Sequence, residues 1–512
     1  MSGPGGASFD LLIVGGGVNG TGIARDAAGR GLRVLLVEQD DLAAHTSSAS
    51  TKLIHGGLRY LEEFHFALVR KALIEREVLL RSAPHIMRPL HFVMPHAPHL
   101  RPAWMIRAGL FLYDHLAHRE RLAASGPIDL RRHIAGAALK SGYRRGFVYS
   151  DGIADDARLV VLNALDAGQR GATVLTRTRC ERLSARPGGW TAALRDAQGA
   201  RVVTARAAVN ASGPWVERFV ATATPVQTRH RVRLVKGSHV VVPRLFDHRF
   251  AYIIQNEDRR IVFAIPYEHD FTLLGTTDVD YTGDPAAVRI EDEEIAYLCA
   301  LANRYFRRGI SAGEVLWSYS GVRPLLADES RDPMRVTRDY ALELERHPAP
   351  LLSVFGGKIT TYRRLAEDAV DVLAPLLGTR AGAWTARATL PGGDLPEGSF
   401  AVFLRTVERR YPWLPARLQQ RYAHAYGTRL ERVLGSVAAP GDLGRELLPG
   451  LYEREVEYLC REEFARSSDD ILWRRTKLGL HLLGADTTHL ERWLAAHGPA
   501  ARGADAAAAS AM

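Results

Sequence analysis

The sequence predicts an α/β fold in three parts, and each part is indicated by a different pattern. Residues 9–38 follow the order strand, glycine turn, helix, strand, which is the order of a Rossmann-like dinucleotide-binding domain. In residues 226–334, short apolar alternations bounded by turn residues indicate an inserted antiparallel β-domain. After Leu390-Pro-Gly-Gly-Asp394 the apolar spacing becomes helical, so a C-terminal α-helical cap domain is expected.

The glycine turn is Gly15-x-Gly17-x-x-Gly20. Gly15 permits the tight turn, Gly17 lets a pyrophosphate approach the backbone, and Gly20 allows close packing of helix on strand. The helix N-terminus that follows offers free N–H groups to phosphates. Glu38 ends the second apolar strand, where a carboxylate can accept hydrogen bonds from ribose hydroxyls. An acid here argues against a 2′-phosphate and hence against NADP, which leaves FAD or NAD.

The stretch after this unit favours FAD. Residues 46–60 read TSSASTKLIHGGLRY, a small and hydroxyl-rich loop that can lie along a flavin. Together with later motifs, it resembles the FAD-dependent glycerol-3-phosphate dehydrogenases, the membrane-associated respiratory type. Those motifs are VNASGPW (209–215), KGSH (236–239), GTTD (275–278), YSGVRPL (319–325), SVFGGKITTYRRLAE (353–367) and DDILWRRTKLG (469–479). The resemblance therefore covers nearly the whole chain.

The resemblance implies which residues hold the FAD. Part of the set belongs to the glycine turn and the hydroxyl-rich loop, and part to a returning strand end and a last glycine turn. In full, the predicted cofactor residues are Gly15, Gly17, Gly20, Glu38, Thr46, Ser47, Ser48, Ser50, Lys52, Leu53, Ile54, His55, Ala211, Gly213, Trp215, Gly356, Gly357, Lys358, Ile359 and Thr360.

The resemblance also implies oxidation of sn-glycerol 3-phosphate to dihydroxyacetone phosphate. Arg59, Arg323 and Lys358 are expected to clamp the phosphate, because a guanidinium fork fits phosphate and lysine adds a point charge. A histidine suits the base role, and the sequence leaves His55 and His239 as equal candidates. The predicted catalytic residues are His55, Arg59, Tyr60, His239, Thr276, Arg323 and Lys358.

Three functions stay open at this level. The first is a dehydrogenase that passes its electrons to ubiquinone or menaquinone. The second is an oxidase of the same fold that uses O₂, or one that acts on an amine or amino acid, although a phosphate clamp argues against an amine substrate. The third is a flavin-bound protein without turnover, which the complete motif set does not favour.

The motifs also divide the chain into expected domains. The FAD-binding domain is expected to be discontinuous, with residues 1–90, 145–225 and 335–389, and residues 91–144 form a helical and loop segment. Residues 226–334 are expected to form the substrate domain and 390–500 the helical domain, with 501–512 a disordered, alanine-rich tail.

Charge and composition exclude several classes of function. Lys and Arg outnumber Asp and Glu by 67 to 57, for a net charge of +10, which favours anionic partners. The basic residues are scattered without a nucleic-acid motif, so no nucleic-acid binding is expected. Cys180, Cys299 and Cys460 lack metal or redox spacing, and the His96, His99 and Arg101 group lacks zinc spacing. No metal is expected.

Membrane association is expected to be peripheral, on the cytoplasmic face. No apolar run approaches the roughly 18 residues of a transmembrane helix, and residues 1–8 lack the features of a signal peptide. Residues 102–122 predict a helix with a polar stripe at Arg107, Asp114, His118 and Arg121 and a wide apolar remainder. That apolar face could pack on the core or lie on a membrane surface. The sequence leaves a homodimer open.

Overall fold

The structure, a computed structural model, describes residues 7–97, 100–256, 260–327 and 339–498. The alanine-rich tail and His99 lie outside these ranges. The strands in chain order are β1 (Ser8–Val14), β2 (Val34–Val37), β3 (Leu53–Ile54), β4 (Met87–Pro95), β5 (Gly126–Asp129), β6 (Arg145–Ala154), β7 (Thr173–Leu175), β8 (Arg179–Arg186), β9 (Gly189–Asp196), β10 (Gly199–Asn210), β11 (Val232–Pro243), β12 (Ala251–Gln255), β13 (Ile261–Tyr267), β14 (Phe271–Gly275), β15 (Val279–Asp280), β16 (Trp317–Leu326), β17 (Tyr340–Glu345), β18 (Leu351–Gly356), β19 (Glu446–Leu448) and β20 (Leu451–Tyr452).

The helices alternate with these strands in the first two thirds of the chain and dominate the last third. They are α1 (Val18–Gly29), α2 (Phe66–Ser82), α3 (Ala103–His115), α4 (Asp156–Gln169), α5 (Val216–Ala223), α6 (Asp292–Tyr305), α7 (Tyr362–Leu377), α8 (Phe400–Arg410), α9 (Ala416–Tyr426), α10 (Leu430–Leu434), α11 (Glu453–Glu462), α12 (Leu478–His481) and α13 (Thr488–His497).

The first sheet has the predicted dinucleotide-binding topology. Its strands run in the order β17-β18-β10-β1-β2-β7, and β8 and β9 extend it beside β10. The neighbours β18, β10, β1, β2 and β7 are parallel. Leu11 and Ile13 face helices α1, α4 and α7, whereas Leu12 and Val14 face β8 and β9. Because both faces are covered, β1 is an apolar run rather than an alternation.

The second sheet draws on more of the chain than the expected range 226–334. Within that range, the apolar segments 240–242, 252–254, 261–265 and 272–274 lie in β11 to β14. However, β4 and β6 continue the same sheet beside β12, and β4 pairs with β12 in parallel. This second sheet is thus mixed and is not built from one insertion. Pro89 and His91 interrupt the apolar pattern of β4, which is why its residues 91–95 were expected in a helical and loop segment.

The C-terminal region has its own apolar core. Phe403, Tyr422, Leu459 and Trp493 belong to this core, and helices α8 to α13 surround it, with one short hairpin of β19 and β20. A π-helical turn, Asp470–Arg475, connects this core to the cofactor side of the molecule.

Helix α3 is shorter than expected and is oriented with apolar side chains outward. It ends at His115, beyond which the N–H groups of Glu120 and Arg121 donate to the Glu77 carboxylate at 3.2 and 3.3 Å. Asp114, from the predicted polar stripe, is buried and accepts from the Ser125 N–H at 2.8 Å. The predicted helix of 102–122 is therefore wrong beyond His115, because side-chain acceptors from α2 hold the chain in a turn.

The outward face of α3 carries large apolar side chains. Trp104 is 70% exposed and Phe111 54% exposed, whereas Leu110 and Tyr113 pack inward. A core-facing helix would bury all of them. No helix within the described ranges is both long and apolar enough to cross a membrane.

Candidate active site

A cavity of about 610 Å³ opens at the carboxyl ends of the parallel strands. Val14, Val37, Ala211 and Gly356, at or just beyond the ends of β1, β2, β10 and β18, form its floor. Crevices at this edge of an open α/β sheet are the usual place for a bound nucleotide. The second sheet supplies the opposite wall with residues of β12, β13 and β16.

The glycine turn is built for close approach of backbone to ligand. Gly15 has φ of +114°, and a Cβ there would lie 2.5 Å from the Ala211 carbonyl oxygen. A Cβ on Gly20 would lie 1.9 Å from the Gly15 carbonyl oxygen, so Gly20 serves helix packing and not the cavity. Gly17 lines the cavity directly. This cradle fits a pyrophosphate at the N-terminus of α1.

Glu38 stands at the cavity edge with both carboxylate oxygens engaged. One accepts the Gly16 N–H at 2.6 Å and the other the Asp40 N–H at 2.8 Å. Burial raises the pKa of Glu38, and these two backbone hydrogen bonds partly oppose that rise. The carboxylate therefore fixes the glycine turn as well as facing the cavity.

Most predicted cofactor residues lie in the cavity wall. Four do not: Gly20, Ser48, Lys52 and Ile54. Lys52 is buried and its Nζ binds the Ser48 carbonyl and the Asp156 carboxylate, both at 2.7 Å. The residues in the wall are Gly15, Gly17, Glu38, Thr46, Ser47, Ser50, Leu53, His55, Ala211, Gly213, Trp215, Gly356, Gly357, Lys358, Ile359 and Thr360.

The three predicted phosphate ligands face the same cavity. Arg59, Arg323 and Lys358 all line it, although they lie far apart in sequence. Lys358 Nζ lies 3.9 Å from the centre of the Tyr60 ring. Arg323 donates to Thr276 Oγ1 at 2.9 Å and pairs with Asp278. An anion bound in this cavity would therefore be exposed to three cationic side chains and to the carboxylate of Asp278.

The two histidines differ in position. His55 lines the cavity, and its backbone N–H donates to Thr360 Oγ1 at 3.2 Å. His239 is buried behind the wall in β11, where its ring stacks on Tyr319 at 4.8 Å. Burial, reinforced by the charges of Arg323 and Lys52, holds the pKa of His239 well below its usual value. The structure thus brings His55, and not His239, to the cavity.

Thr51 and Asp278 are among the polar groups of this wall that sequence analysis missed. Thr51 lines the cavity and its Oγ1 lies 2.9 Å from His239 Nε2. Asp278 also lines it and pairs with Arg323. Both lie inside recognised motifs, TSSASTK and GTTD. The motif locates such residues, but the direction of each side chain depends on pairing between β11, β14 and β16.

The histidines and cysteines of the described residues do not form a metal site. Among the described residues, no group of three or more His, Cys, Asp or Glu side chains could hold a metal ion. All three cysteines are buried. Burial raises the pKa of Cys180 to about 12, so this thiol in the cavity wall is not nucleophilic at neutral pH.

Comparison with known proteins agrees with this geometry. Residues 10–363 match the family model for FAD dependent oxidoreductases, and residues 383–496 match the C-terminal domain of alpha-glycerophosphate oxidase. The chain is therefore an FAD-dependent oxidoreductase by family, and FAD is its cofactor.

Two curated relatives and one solved structure show which family of FAD-dependent oxidoreductases the chain resembles. A glycerol-3-phosphate dehydrogenase of Pseudomonas aeruginosa is 54% identical over 96% of this chain and 96% of its own length. The aerobic glycerol-3-phosphate dehydrogenase of Escherichia coli is 50% identical over 95% and 97%. The FAD complex of the Bacillus halodurans glycerol-3-phosphate dehydrogenase has a TM-score of 0.77 at 29% identity, covering 95% and 90%. The chain belongs to the glycerol-3-phosphate dehydrogenase family, which confirms the resemblance found in its motifs.

Proposed function

We propose that this enzyme oxidises sn-glycerol 3-phosphate to dihydroxyacetone phosphate and passes the electrons to a membrane quinone. The observation that carries the proposal is the convergence of Arg59, Arg323 and Lys358 on the cavity that the glycine turn opens into. The names of the Pseudomonas and Escherichia relatives support the same substrate.

The phosphate is the part of the substrate that this site recognises. Arg323 can offer a guanidinium fork and Lys358 a point charge to a dianion. Thr276 and Asp278 hold the Arg323 guanidinium in place, so little side-chain entropy is lost when the substrate binds. An unphosphorylated alcohol offers these cations no anionic group to bind, and an amine would meet them as like charges. Both are therefore disfavoured.

His55 is the proposed base. It lines the cavity. Its backbone N–H donates to the hydroxyl of Thr360, a residue that follows the last glycine turn. An imidazole there can accept the proton of the C2 hydroxyl as the C–H bond is broken. Bound FAD supplies the hydride acceptor. The protein's contribution is to orient C2 with the cations at one end and the imidazole at the other.

Helix α3 supports a peripheral position on the cytoplasmic face of a membrane. Trp104 and Phe111 are exposed on its outer face, with Met105 and Leu112 beside them. Exposed aromatic residues of this kind suit the boundary between headgroups and acyl chains. The basic side chains near this face contribute less, because Arg101 pairs with Glu62 at 3.1 Å and Arg119 with Asp114 at 3.3 Å. Apolar contact is therefore the main proposed attraction, and it brings the enzyme close to quinone.

The test uses the purified holoenzyme without oxygen. Glycerol 3-phosphate should bleach the flavin absorbance, and glycerol at the same concentration should not. Reoxidation should then be fast with a soluble ubiquinone analogue and slow with air, with little hydrogen peroxide. Bleaching by glycerol alone would contradict the phosphate clamp. Fast peroxide formation without quinone reduction would show an oxidase instead.

A further inference from the structure

Most residues of one continuous stretch, 38–55, line the cavity, but several of its members do not. Thr46, Ser47, Ser50 and Thr51 line the cavity, whereas Asp41 and Lys52 point away from it and are buried. The stretch has only short regular structure, a 3₁₀ turn at Thr46–Ser48 and strand β3. Its shape must therefore depend on what holds the buried members.

The C-terminal domain holds Asp41. Arg475 donates to both Asp41 carboxylate oxygens, with Nη2 at 2.8 Å and Nη1 at 2.5 Å. Arg474 adds a third bond from Nε at 2.6 Å. Asp41 is 2% exposed and Arg475 1% exposed. A bidentate, buried guanidinium–carboxylate pair of this kind fixes position as well as charge.

The same C-terminal segment reaches the other end of the stretch through Asp156. Lys477 Nζ lies 3.8 Å from Asp156 Oδ1 and 3.6 Å from Asp155 Oδ1. The second Asp156 oxygen accepts from the Ser50 hydroxyl and from Lys52 Nζ, both at 2.7 Å. Lys477 therefore balances the charge of the carboxylate that holds Ser50 and Lys52.

A third contact joins this segment to the second sheet. Trp473 stacks on Trp317 of β16 with ring centres 4.6 Å apart. The same strand carries Arg323 into the cavity. Residues 473, 474, 475 and 477 thus contact three groups behind the cavity wall, which are Asp41, the Asp155 and Asp156 pair, and Trp317.

We infer that the segment Asp470–Lys477 of the C-terminal domain is a positioning element for the cofactor cavity, and that its contacts with Asp41 and Asp156 set the affinity of the enzyme for FAD. None of its residues is in the cavity wall, so it acts through residues 38–55. When residues 38–55 are already held in the conformation that binds FAD, less conformational entropy is lost as FAD binds. The C-terminal domain is in this respect part of the cofactor site.

The test compares two arginine variants with closely similar surroundings. Arg474→Gln removes a contact to Asp41, and Arg421→Gln removes a contact to Glu455 inside the C-terminal core at 2.6 Å. The two arginine side chains are 16% and 18% exposed, and both carboxylates are buried. Each apoprotein is titrated with FAD by quenching of flavin fluorescence, and its thermal midpoint is recorded without FAD. Arg475→Gln and Lys477→Met are measured in the same way.

Arg474→Gln should raise the FAD dissociation constant by about tenfold or more, as expected for a coupled contact. Arg421→Gln should leave it within about twofold, even if its thermal midpoint falls equally. Arg475→Gln should raise the FAD dissociation constant more than Arg474→Gln does. If Arg475→Gln does not fold, Arg474→Gln and Lys477→Met still test the inference. Equal loss of affinity in Arg421→Gln would mean general destabilisation and would overturn the inference. Unchanged affinity in both Arg474→Gln and Lys477→Met would overturn it as well.

Discussion

His239 lies behind the wall of the active-site cavity, and its Nε2 is 2.9 Å from the hydroxyl oxygen of Thr51. Thr51 lines the cavity and His239 is fully buried behind it. Nδ1 of His239 has no hydrogen-bond partner among the residues that the structure describes. With its pKa held low by burial, this imidazole stays neutral at working pH. It can orient the Thr51 hydroxyl, and His55 remains the proposed base.

The first prediction separates the two histidines. His55→Asn should lower the rate of flavin reduction by glycerol 3-phosphate by about 10²–10⁴-fold, the usual contribution of a general base. His239→Asn should lower it far less, because an amide can still hydrogen-bond Thr51. Anaerobic stopped-flow absorbance measures both rates, and flavin content serves as the control. A larger loss in His239→Asn than in His55→Asn would contradict the assignment.

The second prediction concerns substrate charge. Arg323→Ala should cost about 1.5–3 kcal/mol of transition-state binding, or roughly tenfold to more than a hundredfold in kcat/KM. The Asp278 carboxylate would also be left facing the phosphate. Arg233→Ala is the matched control, since Arg233 pairs with Asp280 outside the cavity wall at 2.6 Å. Steady-state assays with a quinone analogue compare them, and equal kcat/KM values would count against the clamp.

The third prediction distinguishes two glycines of one motif. Gly17→Val should fold yet purify without yellow colour, because its side chain enters the cavity where a pyrophosphate approaches. Gly20→Ala should instead fail to fold stably, since a Cβ there lies 1.9 Å from a carbonyl oxygen. Gly109→Ala, with open space around it, is the control. Flavin absorbance and circular dichroism report the outcomes. Full flavin content in Gly17→Val would refute the cofactor placement.

The fourth prediction is a pH dependence of stability. Burial, helped by the charge of Arg158, lowers the pKa of His85 to about 3, whereas the unfolded chain protonates it near pH 6.5. The unfolded state therefore binds an extra proton below about pH 6.5. Native stability falls as pH decreases from there towards 3, by up to about 1.4 kcal/mol per pH unit.

Removing this group should flatten that dependence. Between pH 7 and pH 5, the thermal midpoint of His85→Gln should fall less than that of the native protein, whatever its absolute value. Exposed His115 gives the control as His115→Gln. Differential scanning calorimetry measures the midpoints. Parallel declines in His85→Gln and the native protein would mean that His85 does not remain neutral in the fold.

The fifth prediction tests the exposed face of α3. Trp104→Ser combined with Phe111→Ser should weaken binding to anionic phospholipid vesicles by at least about tenfold, because each aromatic side chain is worth roughly 1.5–3 kcal/mol when buried. Leu483, 44% exposed on the C-terminal domain, supplies the control as Leu483→Ser. Co-sedimentation at low and high salt measures binding, and an unaffected double variant would exclude α3 as the contact surface.

The sequence by itself determined the parts of this protein that depend on local order. The strand, glycine turn and helix of residues 9–38 predicted the dinucleotide-binding sheet because each glycine meets a steric demand within the same unit. Helix α2 is also encoded locally, because its apolar spacing lies within one segment. The motifs also located most of the cavity wall, since their small residues mark where backbone approaches a ligand.

Only the tertiary structure decided which side chains of those motifs meet. Neighbouring strand residues face opposite sides of a sheet, so His55 and His239 were equal in sequence until strand pairing buried one of them. Likewise, β4 joined the second sheet through pairing with distant β12, and acceptors from α2 ended helix α3. The contacts from residues 470–477 to Asp41 and Asp156 cross more than 300 positions of sequence. No local pattern encodes such contacts, because they depend on which surfaces are brought together when the whole chain packs.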